Sequence, residues 1–272
     1  MNTAVRMPAV AGQFYPGQAQ ALEHEVEEYT RFQGEKIAAR GCLVPHAGYM
    51  YSGHVAGAVY GKLALPRRFI ILCPNHTGLG KPLAIMSSGA WKTPLGNAAV
   101  DEKLAESLKR NSPLFSEDAE AHRREHALEV QLPFLQKLQP DFTFVPIVVG
   151  TSRYEALEGV GKAIAAAIEE EGADGAVLVA ASSDMNHYES DEITRAKDAR
   201  ALDRILALDA PGLYEAIARQ QISMCGFGPA IAMLTAARRL GATRAELVRY
   251  ATSGDISGDR KAVVGYAGVV VL

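Results

Sequence analysis

Two hydrophobic patterns alternate along the chain: short continuous apolar runs that stop at a polar tip, and longer stretches with apolar residues three and four apart. The first suits buried strands and the second amphipathic helices. Cys42-Leu43-Val44 is such a run, cut off by Pro45 and followed by His46, Gly48, Tyr49, Tyr51, Gly53 and an Ala/Val-rich helical stretch over 54–63. Residues 68–73 predict a second strand ending near His76, and residues 175–182 a third leading to Asp184 and His187. Leu22, Val26 and Tyr29 mark a helix over 18–32, and further helices are predicted over 100–110, 153–170, 190–207, 210–220 and 229–240. Strands are predicted over 82–88 and 142–149, the latter at an edge or bulge because Pro146 donates no ladder hydrogen bond. Trp91-Lys92-Thr93-Pro94-Leu95-Gly96 reads as a loop, and residues 119–138 as a helix kinked or broken at Pro133. Two strands, 245–251 and 262–272, close the chain around the Gly- and Asp-rich segment 252–259. Residues 8–17 hold too many turn formers for a regular element and should wrap the surface, presenting Phe14 and Tyr15.

Strands alternating with helices predict an α/β fold, its sheet parallel in large part and covered on both faces, with the closing strands free to add antiparallel pairs. No linker or repeat divides the sequence, so one domain over 1–272 is the simplest reading. Charges of both signs on 190–207 read as a solvated helix face.

Composition narrows the function. At 48% hydrophobic and 22% charged residues, with a net charge of −3, the chain lacks the basic footprint of a nucleic-acid binder. No apolar run reaches the roughly 20 residues that span a bilayer, and the N-terminus does not read as a signal peptide. Three scattered cysteines argue against a disulfide framework and for a reducing, cytoplasmic setting. Cys42 and Cys73 sit in apolar runs as core residues, whereas Cys225 lies in a glycine-broken turn and is the cysteine suited to react or to bind a metal.

No glycine-rich segment completes a phosphate loop, since His54 and Val55 stand where Lys and Ser/Thr belong. His122-Arg-Arg-Glu125-His126 matches the inverted zinc-peptidase pattern, which on one helix face would put two imidazoles on a metal with Glu125 as base. The stronger signal is a histidine at each of three strand tips: His46, His76 and His187. Sheet geometry gathers such tips. Two imidazoles and one anionic group (Asp184, Cys225, or less obviously Asp255 or Asp259) would suit Fe, Zn, Cu or Ni and leave positions open.

Pro45-His46-Ala-Gly-Tyr49 with Tyr51 and Gly53, Pro74-Asn-His76, Glu125-His126-Ala-Leu-Glu129 with Leu132-Pro133, Ser182-Ser-Asp184-Met-Asn-His187, and Cys225-Gly226 with Pro229 carry a resemblance. Together they resemble the Memo family, above all its prokaryotic members called AmmeMemoRadiSam system protein B, nearly end to end from Ala11-Gly12 to Gly265-Tyr266. The resemblance implies the three-layer α/β/α fold, with a mixed, mostly parallel central sheet, of the class III extradiol (LigB-like) dioxygenases. It implies that His46, His76 and Cys225 are metal ligands and that His187 is catalytic, with Asp184 beside it. Glu125 and His126 would line the pocket. A thiolate in place of the dioxygenase carboxylate widens the metal choice from Fe(II) to copper or zinc. An AMMECR1-like protein and a radical SAM enzyme are the partners that the family name implies.

The expectation is a cytoplasmic, non-haem iron or copper oxidoreductase acting on a small polar or aromatic substrate, or a peptide group, near Phe14, Tyr15 and Tyr51. His187 would titrate near an unshifted 6.5. The alternatives are a non-catalytic phosphotyrosine-peptide module using the same cleft, as in eukaryotic relatives, and a zinc hydrolase built on His122, Glu125 and His126.

Overall fold

In the computed structural model, which describes residues 4–172 and 176–272, the apolar runs are extended and join one 12-stranded sheet. The chain order begins β1 (Val5–Arg6), α1 (Ala19–Tyr29), β2 (Gly41–Val44), α2 (Tyr49–Lys62), β3 (Arg68–Pro74), β4 (Leu83–Ile85), β5 (Ala90–Thr93) and β6 (Gly96–Val100). Next come α3 (Glu102–Asn111), β7 (Ser116–Glu117), α4 (Glu120–Arg123), a 3-10 turn (Glu129–Gln131), α5 (Leu132–Leu138), β8 (Thr143–Val149) and α6 (Tyr154–Glu170). The chain then runs through β9 (Val177–Ser182), β10 (His187–Glu189), α7 (Asp191–Leu206), α8 (Ala210–Gln220), α9 (Phe227–Arg239), β11 (Ala245–Thr252), α10 (Ser253–Ser257) and β12 (Val263–Val271). Gly175, the first residue of the strand predicted over 175–182, lies outside the described residues.

The middle of the sheet, β6-β8-β3-β9-β2, is parallel throughout. β12 pairs antiparallel with β2 and carries β10 and β11, while β5 forms an antiparallel hairpin with β6. Side chains alternate across the sheet with the period of two that strands impose. Phe69, Ile71 and Cys73 join the layer of α1, α2 and α5, whereas Ile70 and Leu72 join that of α3, α6 and α9. The result is a three-layer α/β/α fold. Helix α2 sits close to α1 because Gly57 faces Tyr29; a Cβ there would meet the Tyr29 carbonyl at 2.6 Å.

Five expectations are corrected by packing. Helix α2 starts at Tyr49 rather than 54, since Tyr49 is itself a buried core residue whose hydroxyl donates to the Val130 carbonyl at 2.6 Å. The segment Trp91–Gly96, read as a loop, is a hairpin that turns at Pro94-Leu95. Pro146 lies in no edge strand: β3 flanks β8 on one side, and on the other Pro146 falls between the pairs made by β6 and by β4. A missing N–H is tolerated in that gap. Residues 119–138 break after Arg123 rather than kinking at Pro133, which stands in the first turn of α5, where its donor would be orphaned anyway. Helix α7 also departs from a simple solvated face, because Asp191 and Asp198 are buried.

Candidate metal centre

Strands β3, β9 and β2 are parallel neighbours with β9 in the middle, so their carboxyl ends open on one side of the sheet. His46 follows β2, Asp184 follows β9 and His76 follows β3. His126 reaches the same place from the broken stretch between α4 and the 3-10 turn. Ligating nitrogens of His46, His76 and His126 all lie within 4.8 Å of one another. These three side chains form a group that could hold a metal ion.

Each imidazole is held from behind. The His76 backbone N–H donates to Glu125 Oε2 at 2.6 Å and its Nδ1 to Glu125 Oε1 at 2.9 Å. His126 Nδ1 lies 3.5 Å from the same carboxylate, and its ring stacks on that of His76. His46 Nδ1 lies 3.0 Å from Ser182 Oγ, and its backbone N–H donates to Asp184 Oδ1 at 2.7 Å. With Nδ1 engaged, Nε2 is the atom left for a ligand, an arrangement common behind metal-binding histidines. Cys225 Sγ stands 3.2 Å from His46 Nε2. Its approach depends on Gly226, where a Cβ would meet Ser182 O at 2.4 Å.

His187 lies across the cavity, at the start of β10 rather than at the tip of β9. Its backbone N–H donates to Ser223 Oγ at 2.8 Å and its Nδ1 to the Ser223 carbonyl at 2.9 Å, again leaving Nε2 free. Ser223 is in turn held by Asn186 Oδ1. A register shift against β12 puts Tyr188 in the left-handed region at φ 60, a conformation that bulky residues rarely adopt, with the side chain exposed. The cavity between these walls holds about 500 Å3 and is completed by Phe14, Ala47, Gly48, Val264 and Tyr266.

Burial dominates the electrostatics. It lowers the His46 and His126 pKa values, with the neighbouring imidazoles adding to the effect. His76 is the exception: burial works against its proton, but the Glu125 carboxylate prevails and raises it. Burial also opposes ionisation of Glu125, yet His76 and the Ala127 and His76 amides hold it below the usual carboxylate range. Burial raises Asp184 to about 7 against the pull of the His46 and Ala47 amides. It raises the Cys225 thiol too, with help from Asp184. The unshifted value expected for His187 is corrected: burial lowers it.

Several predicted site residues stand elsewhere. Phe14 lines the cavity with its ring 4.8 Å from that of His126. Tyr15, expected beside a substrate, is buried with its hydroxyl donating to Glu129 Oε1 at 2.6 Å. Tyr51 packs with Val55 and Tyr266 and is not part of the cavity wall. Glu125 is fully buried behind His76 and does not line the pocket. The shared helix face of His122 and His126 does not form, because α4 ends between them. His122 is instead fully buried edge-on to Trp91, with burial holding its pKa at about 4. That removes the basis of the hydrolase reading. Asp255 pairs with Arg195 and caps α10, so it too serves structure.

Glu129 explains the second carboxylate of the Glu125-His126-Ala-Leu-Glu129 motif. It is buried and accepts hydrogen bonds from Arg6, from the Ala9 and Val10 amides and from Tyr15. Residues 8–17 are thereby tied down rather than merely laid over the surface. Tyr188, Ser223 and Tyr266 were missed as site residues, although Tyr188 and Tyr266 lie inside or beside quoted motifs.

Residues 6–270 match the model of a family described as Memo-like protein. The chain is 46% identical to a MEMO1 family protein of Methanosarcina barkeri over 98% of this chain and 100% of that one. It is 43% identical to another from Methanothermobacter thermautotrophicus, covering 97% and 99% of the two chains. It is also 43% identical to one from Pyrobaculum arsenaticum, covering 98% of each.

Proposed function

The chain belongs to the Memo family, and on that premise we propose that it is a mononuclear metal-dependent oxidoreductase. His46, His76 and Cys225 hold the ion, with His126 as a further nitrogen donor. The observation that carries this reading is the convergence of three imidazoles within 4.8 Å, with the Cys225 sulfur 3.2 Å from His46 Nε2. Nitrogen and sulfur donors together suit Fe(II) and copper, and zinc as well. Iron or copper in this seat would supply one-electron redox chemistry.

The remaining residues bind substrate and move its protons. His187 presents an unprotonated Nε2 to the cavity at neutral pH, because burial lowers its pKa and Ser223 takes Nδ1–H. It is placed to accept a proton from a substrate hydroxyl. Asp184 organises the His46-Ala47 turn through its amide contacts. Phe14, Val264 and Tyr266, with the exposed Tyr188 at the edge, make a largely aromatic wall that favours a small aromatic substrate.

Metal analysis after anaerobic purification tests the reading. The expected result is one iron or copper per chain, lost in Cys225→Ser and in His76→Ala. Wild-type protein that takes up none of iron, copper or zinc would overturn it.

A further inference from the structure

Behind His46 a fully buried hydrogen-bonded chain, Tyr60–Gln131–Ser182, reaches the imidazole from the core. The Tyr60 hydroxyl donates to Gln131 Oε1 at 3.2 Å, which orients the amide. Gln131 Nε2 therefore donates, at 2.9 Å, both to the Pro45 carbonyl and to Ser182 Oγ. Ser182 Oγ lies 2.6 Å from the Ala127 carbonyl oxygen. Two oxygens that close need a proton between them, so the single hydrogen of the serine is committed there. What the hydroxyl has left is acceptor capacity. Part of it takes the Gln131 N–H, and the rest faces His46 Nδ1 at 3.0 Å.

We infer that Ser182, held by Gln131 and the Ala127 carbonyl, is a positioning residue that fixes His46 as the Nδ1–H tautomer and leaves its Nε2 lone pair facing the cavity. A glutamine N–H set directly against Nδ1 would select the opposite tautomer, because it can only donate. Ser182 converts that donor into an acceptor. Cys225 accommodates this tautomer when its thiol donates to Nε2 at 3.2 Å rather than to the Asp184 carbonyl at 3.7 Å, so the assignment rests on Ser182. The consequence for metal rests on the proposed function, since an ion needs the Nε2 lone pair, but the tautomer itself does not.

Imidazole nitrogen NMR on isotopically labelled, metal-free protein reads the proton directly. Wild-type His46 is expected to carry it on Nδ1, with Nε2 in the unprotonated range. In Ser182→Ala the proton should move to Nε2 and zinc affinity should fall about 10–100-fold, while Ser182→Thr keeps both. A wild-type proton on Nε2, or a folded Ser182→Ala protein that keeps it on Nδ1, would overturn the assignment. If Ser182→Ala does not fold, the wild-type spectrum decides alone. Wild-type protein with the expected tautomer but no affinity for zinc would support Ser182 as the positioning residue and count against the metal reading.

Discussion

The two walls of the cavity are built by different means. The His76–His126 wall is anchored by buried carboxylates: Glu125 grips His76, and four residues later Glu129 grips Arg6 and the arm that delivers Phe14. On the His187–Tyr188 wall no carboxylate touches the histidine; the buried carboxyl of Asp198 stands one step back, behind the Asn186 amide. This wall is a short outer strand with a register shift, its histidine held by the neutral Ser223 and Asn186, and it carries a residue at φ 60. One wall is stabilised by charge in the core, and the other keeps backbone strain at the surface. The first suits holding an ion in fixed geometry; the second suits meeting a substrate.

Removing the deepest anchor should have the largest effect. Glu129→Ala leaves the Arg6 charge buried and unpaired, and should cost about 3–5 kcal/mol of stability, measured by urea denaturation. A loss no larger than the ~1 kcal/mol of an ordinary hydrogen bond would refute the contrast between the walls. Glu125→Gln takes the charge from behind His76 and should weaken zinc binding about 10–100-fold, read by calorimetric titration; an unchanged affinity would show that the carboxylate is dispensable.

On the other side, Asp198 supports the His187 wall by accepting from the Asn186 amide at 2.8 Å and the Tyr250 hydroxyl at 2.7 Å. Burial holds its carboxyl at about 6, against the opposing pull of Tyr250, the Asn186 amide and Arg195. The folded protein keeps a proton that the unfolded chain releases. The stabilising share of this group is therefore full below about 3.8 and lost as pH rises through about 6. Between those values wild-type stability should fall by on the order of 1–2 kcal/mol relative to Asp198→Asn, and parallel pH profiles would exclude it. The smallest effect is expected at Tyr188→Gly, which relieves the left-handed backbone and should stabilise the protein by about 1 kcal/mol net of glycine's added chain entropy. A lower melting temperature would mean that the phenol is packed rather than strained.

The central strands were readable because burial on both faces makes them continuous apolar runs, as in Phe69–Cys73 and Val177–Ala181. Their tips therefore pointed to His46, His76 and Asp184. The role of His126 in the imidazole cluster was hidden by local pattern. His122 and His126 have helical spacing, yet Glu125 turns inward to meet His76, a partner 49 residues away, and the helix ends first. The strained Tyr188 was equally hidden, since its bulge exists only against β12, some 75 residues further along. Trp91–Gly96 failed for a different reason. Pro94 and Gly96 mark a turn, but the strands on either side are short and carry small residues such as Ala90, Ala98 and Ala99, a weak strand signal.

The interposition of β9 between β2 and β3 sets the scale of the site. Neighbouring strands lie roughly 4.8 Å apart, so the two outer backbones sit about twice that distance from each other, whereas the His46 and His76 rings come within 5.1 Å between centroids. The rings close this span by leaning over the end of the middle strand. Ladder spacing thus works as a caliper whose jaws are imidazoles, its gap set by the one strand that lies between them.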